Sequence, residues 1–192
     1  MNIIEMKYRK SWGRLQKAMV VTIILCSFLT LSACGADNDD PNTLDVMFFT
    51  ELPLDLNDDI DAYFDSISDS DDKTVEVHMF LPSAEKLTIE MVAGDGDIYI
   101  VDDYMYNIIF DPVILHPLDS VVDGESARGG IDDKYFAIDE DTGDEHIYAV
   151  PLDNESQFLQ DIQVNHSSSF IAVMMTDRYI NQFGLELLEA IN

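Results

Sequence analysis

The side chains able to do chemistry are unevenly distributed, with 38 Asp and Glu facing ten Lys and Arg, four His and two Cys in 192 residues. Nucleophilic catalysis leaves recognisable patterns, and Gly-x-Ser-x-Gly, the phosphate-binding P-loop and His-Glu-x-x-His are all missing from the sequence. His78, His116, His146 and His166 are scattered over four segments, each reading as a surface or satisfied side chain rather than a ligand. Carboxylates can gather calcium, which takes six to eight oxygens. Asp139-Glu140-Asp141-Thr142-Gly143-Asp144-Glu145 comes nearest, but its glycine falls one place early for an EF-hand, so a hairpin turn is expected there. Gly94-Asp95-Gly96-Asp97 follows a helix and precedes a strand, the reverse of a phosphate cradle, and reads as a helix stop. No catalytic residue, cofactor or dedicated metal site is expected, and the chain is read as a binder rather than an enzyme. The most suggestive run is Asp102-Asp103-Tyr104-Met105-Tyr106. Carboxylates beside two aromatic rings suit stacking on a sugar and bonding its hydroxyls, or pairing with a cation. The same two rings could equally pack the start of a helix.

The elements that must position this run follow from hydrophobic period. Leu44-Asp45-Val46-Met47-Phe48-Phe49 has strand length, and Ile60, Tyr63, Phe64 and Ile67 share a helical face. Val75, Val77, Met79 and Leu81 alternate as in a strand with one more polar face. Ser83 caps a helix carrying Ala84, Leu87, Met91 and Val92, and Gly94 ends it. Ile98-Tyr99-Ile100-Val101 is a third strand, apolar on both faces. Alternation of strands and helices with short links predicts an α/β fold, with a parallel or mixed sheet covered by helices on both faces. Parallel strands present ligand sites beyond their carboxyl ends, here Thr50-Glu51-Leu52, Pro82-Ser83 and residues 102–106. Beyond them come a short helix over 104–110, a hairpin within 134–151 and a short helix around Phe158, Leu159 and Ile162. A strand at 170–175, expected in the same sheet as Leu44 to Phe49, and a helix from about Thr176 complete the chain.

The N-terminus carries a different chemistry. Lys7, Arg9, Lys10, Arg14 and Lys17 precede an apolar run, Ala18 to Leu31, that is too short for an ordinary transmembrane helix and reads as an export signal. Leu31-Ser32-Ala33-Cys34 then resembles the lipobox of bacterial lipoproteins, which implies lipid on the Cys34 thiol and cleavage before it. The plan is a signal over 1–33, an acidic tether over 34–43 and one domain over 44–192. Without the signal, which holds five basic residues and one acid, the chain retains five basic and 37 acidic residues, a net charge of −32. Such a surface repels phosphodiester backbones, so nucleic acid is excluded as a partner. Counterions would screen the charge in a salty or alkaline medium, which suits a salt-tolerant bacterium with an exposed surface. Cys26 leaves with the signal and Cys34 takes lipid, so no thiol remains for a disulfide.

The run from Lys86 to Asp102, in which a helix ends in Gly94-Asp95-Gly96-Asp97 and a strand begins at Ile98, resembles the extracellular solute-binding lipoproteins of ABC importers, as do Pro117-Leu118-Asp119 and Tyr148-Ala149-Val150-Pro151. The resemblance implies one lobe of a periplasmic-binding-protein-like fold, since only 41 residues follow Pro151 where a complete member builds a second lobe. Residues 170–191 resemble the segment by which such chains return to the first lobe. It further implies that Glu51, Asp102, Asp103, Tyr104 and Tyr106 line a site for a small polar solute of the sugar or peptide class, with Tyr148 near the hinge. An importer permease would be the partner, and the outer face of a Gram-positive-type cell membrane the location. The alternative is an interaction or sensor-accessory lipoprotein that docks an envelope protein.

Overall fold

The computed structural model describes residues 42–68, 73–122, 129–140, 142–164, 169–176 and 181–192. The signal, Cys34, most of the acidic tether and the loop at 69–72 lie outside them. Strand β1, Thr43–Phe49, is wholly buried from Val46 onward, because its apolar run leaves neither face for water. Strand β2, Thr74–Phe80, exposes Thr74 and Glu76 and buries Val75 and Val77, the alternation of an edge strand. Strand β3, Ile98–Asp102, is buried throughout.

Between β1 and β2 lies helix α1, Asn57–Ile67, which buries Ile60 and Phe64. Helix α2, Ala84–Ala93, joins β2 to β3, and its ends are those the sequence dictates. Ser83 Oγ accepts the Lys86 amide at 3.3 Å, and Gly94 closes the helix at φ 77°, a left-handed conformation that costs glycine little. The chain continues through α3, Tyr106–Ile109, and the hairpin β4, Phe136–Ile138, with β5, Glu145–Ile147. Strand β6, Val150–Leu152, helix α4, Gln157–Asp161, strand β7, Phe170–Met174, and helix α5, Asn181–Ile191, follow.

The main sheet runs β2-β1-β3-β7-β6, with β1 parallel to both β2 and β3, while β7 is antiparallel to β3 and to β6. The last strand therefore shares the sheet of β1, as expected, in a mixed sheet. Its five buried residues demand cover on both faces, and that demand is met in either direction, so periodicity alone does not set its sense. Pro151, which cannot donate to a ladder, sits in the edge strand β6. The helix expected from 104 opens as a 3₁₀ turn, Asp103–Met105, before α3. Thr176 is a bend rather than a helix start, and α5 is described from Asn181.

Two aromatic clusters hold the layers. Phe48 of β1, Phe64 of α1 and Phe158 of α4 place their ring centroids 5.8–6.1 Å apart and lock one face of the sheet under helices. Full burial of each such ring contributes about 1.5–3 kcal/mol. On that face α5 lies directly on the strands, since a Cβ at Gly184 would come within 2.9 Å of Met174 Sδ and 3.6 Å of Leu44 Cδ1. On the other face Phe49 stacks on Phe80 at 4.9 Å, and Lys86 of α2 lies over the Phe80 ring.

Candidate functional site

The carboxyl ends of β1, β2 and β3 lie along one edge of the sheet, because the three strands are adjacent and parallel. Asp102 ends β3 with its side chain fully buried, and its Oδ2 accepts the backbone N–H of Glu51 at 3.2 Å. One carboxylate thus ties the segment after β1 to the end of β3. Glu51 itself is exposed, and Tyr104 is 63% exposed. The Tyr104 phenol is pushed above its ordinary pKa by local desolvation, then by the Asp102 and Glu51 charges and a hydrogen bond to Asp102. Glu51, Asp102 and Tyr104 therefore form one group at the strand ends: a ring open to solvent with two carboxylates beside it. Leu54, after β1, and Leu81, after β2, are exposed on the same edge at 47% and 62%.

Asp103 faces a second group. Lys134 Nζ donates to its Oδ1 and Oδ2 at 2.8 and 3.0 Å, and the Tyr135 hydroxyl donates to Oδ1 at 2.5 Å. Burial alone would raise the Asp103 pKa, but these hydrogen bonds and the Lys134 charge outweigh it and hold it below the ordinary value. The Tyr135 phenol is raised, first by burial and then by the Asp103 bond and charge. Tyr106 is nearly buried, packs its ring on Phe110 and Tyr135 at 4.7 and 5.0 Å, and donates its hydroxyl to the Lys134 carbonyl at 2.7 Å. Burial, followed by the neighbouring Tyr135, Asp103 and Asp132, pushes its phenol up.

Tyr148 is interior, edge-on to Phe110 and His146 at 6.3 and 6.4 Å. Desolvation, with Asp139 and Asp119 nearby, raises its phenol pKa. Of the six residues read from the sequence as a solute site, three meet at the strand ends, Asp103 and Tyr106 fasten the hairpin, and Tyr148 packs inside. Lys134 and Tyr135 are the residues the sequence reading did not place here; their partner lies some thirty residues away, and no local pattern announces it. The acidic segment at 139–145 contains a turn, in which the Asp139 carboxylate accepts the Thr142 amide at 2.9 Å and Gly143 adopts φ 78°.

A mixed-sheet α/β domain with a carboxylate and tyrosine rim at its parallel strand ends is the class that fold and geometry define. The chain is similar to "Putative lipoprotein YteS" of Bacillus subtilis (strain 168), at 24% identity over 153 residues that cover 78% of this chain and 83% of that protein. No family model matches the chain, and no solved structure matches it.

Proposed function

We propose that the protein is a lipoprotein held on the outer face of the cell membrane by lipid on Cys34, and that its domain binds a small polar solute of the sugar or peptide class at the rim formed by Glu51, Asp102 and Tyr104, for delivery to an ABC importer. The anchor is supported by the Leu31-Ser32-Ala33-Cys34 tetrapeptide and by the lipoprotein name of the Bacillus subtilis relative. Among the described residues no helix is long and apolar enough to cross a membrane. The observation that carries the binding reading is the exposed Tyr104 ring beside the exposed Glu51 carboxylate, with the buried Asp102 holding the Glu51 backbone in place, since stacking and hydroxyl bonding from one place is how proteins grip a sugar.

A second reading, docking of an envelope protein, is favoured by the exposed Leu54 and Leu81 on the same rim. The test is a calorimetric screen of oligosaccharides and short peptides beside a pull-down of membrane proteins, repeated with Tyr104→Ala. Saccharide or peptide binding lost in Tyr104→Ala supports the first reading, and a membrane partner lost in Leu81→Asp supports the second. Ligands and partners all retained by both variants would refute the rim assignment.

A further inference from the structure

We propose that Asp45, Glu76 and His78 form a binding site for a divalent cation of the zinc type, away from the rim and on the amino-terminal half of β1 and its neighbour β2. One ligand atom from each of the three side chains lies within 4.8 Å of the other two. The placement follows from strand geometry. Asp45 and Glu76 are register partners across β1 and β2, and His78, two residues on from Glu76, returns to the same face. Two hydrogen-bonded strands therefore hold the cluster, which is a firmer mount than a loop. His78 Nε2 already stands 3.1 Å from Asp45 Oδ1. Two ligand atoms about 2.1 Å from a tetrahedral zinc ion are about 3.4 Å apart, so this edge needs little change, and Glu76, exposed on the edge strand, has the freedom to close the rest.

The electrostatics favour a cation. Asp45 and Glu76 face each other as like charges, and a third carboxylate is adjacent: Asp97 Oδ2 accepts the Asp45 amide at 2.9 Å. Among the described residues the lysines are engaged elsewhere, with Lys73 over the Phe183 ring, Lys86 paired to Glu90 and Lys134 paired to Asp103. Asp45 and His78 are 23% and 39% exposed in their side chains, which leaves an entry path. One imidazole with two carboxylates selects borderline metals over calcium, which prefers a larger all-oxygen shell. Three protein ligands also leave a fourth position for water or for a donor from another molecule.

The test is calorimetric titration of the metal-stripped full chain in detergent with Zn²⁺, in a background of excess Ca²⁺ that occupies the diffuse acidic surface. One equivalent of Zn²⁺ should bind in that background, weakened at least about tenfold by His78→Ala and measurably by Glu76→Gln, while His146→Ala leaves it intact. Loss of the zinc equivalent in excess Ca²⁺, or equal affinity in wild type and His78→Ala, would overturn the proposal. Should His78→Ala fail to fold by circular dichroism, the exposed Glu76→Gln decides, and unchanged affinity there overturns it as well.

Discussion

The Tyr135 hydroxyl meets Oδ1 of Asp103 at 2.5 Å across 32 residues of chain, joining the end of β3 to the foot of the β4–β5 hairpin. Lys134 adds two more bonds to the same carboxylate, and Tyr106 reaches back to the Lys134 carbonyl. The hairpin is thereby fastened to the main sheet by side chains. Tyr135→Phe removes one bond to a charged acceptor and should lower unfolding free energy by about 1.5–3 kcal/mol, measured by urea denaturation.

Asp103 also gives the domain a defined acid response. Its folded pKa lies below the ordinary 3.8, so the unfolded chain takes up the proton first as pH falls. The stabilisation is complete above that ordinary value and fades as pH drops through the folded pKa. Thermal melts between about pH 5 and about pH 2 should show wild type losing more stability than Asp103→Asn, which has no such proton to gain. Parallel curves for the two proteins would remove Asp103 from the acid response.

Asp102 acts inside rather than at the surface. Its buried carboxylate accepts the Glu51 amide, so Asp102→Ala leaves that N–H without its acceptor and should cost about 1–3 kcal/mol, whereas Asp102→Asn keeps an acceptor oxygen and should cost less. Tyr104→Ala, at an exposed position, should stay within about 0.5 kcal/mol of wild type. Equal losses for Asp102→Ala and Tyr104→Ala would contradict this division between support and exposed ring.

How much of this was legible in the sequence depends on the range of the interaction. Ser83 and Gly94 delimit α2 because capping is settled within a few residues, and the burial of β3 and β7 follows from unbroken apolar runs. The carboxylate run at 102–103 was visible, but its split was not: consecutive residues at a strand end point apart, so Asp102 turns inward to Glu51 while Asp103 meets Lys134. Tyr106 reads as a site residue by its type and Tyr148 only through the solute-binding resemblance, and both rings pack in the interior. Glu76-Val77-His78 showed its period of two, yet Asp45, which completes the cluster, comes from another strand and becomes a neighbour only through the β1–β2 register.

Gly184 tests how closely α5 lies on the sheet. An added Cβ would meet Met174 Sδ at 2.9 Å, and a branched side chain would also press on Leu44 and Ile98. Gly184→Val should lose about 1–3 kcal/mol by overpacking, although it leaves behind a residue poorly suited to helix interiors. Adding Met174→Ala should recover part of that loss in a double-mutant cycle, and strict additivity would place the contact elsewhere.

Removing residues 170–192 tests the topology itself. Strand β7 stands between β3 and β6, so its loss unpairs both neighbours at once: the β3 edge loses five register partners and β6 its sheet contact. The same deletion removes α5, whose Phe183, Leu187, Leu188 and Ile191 are buried. A new open edge on the wholly buried and largely apolar β3 invites pairing with other chains. The truncated protein should therefore lose cooperative thermal unfolding and aggregate when expressed, while the full chain melts in one transition. A truncated chain that melts cooperatively near the wild-type temperature would show that the remaining strands fold without β7, and would refute its central place.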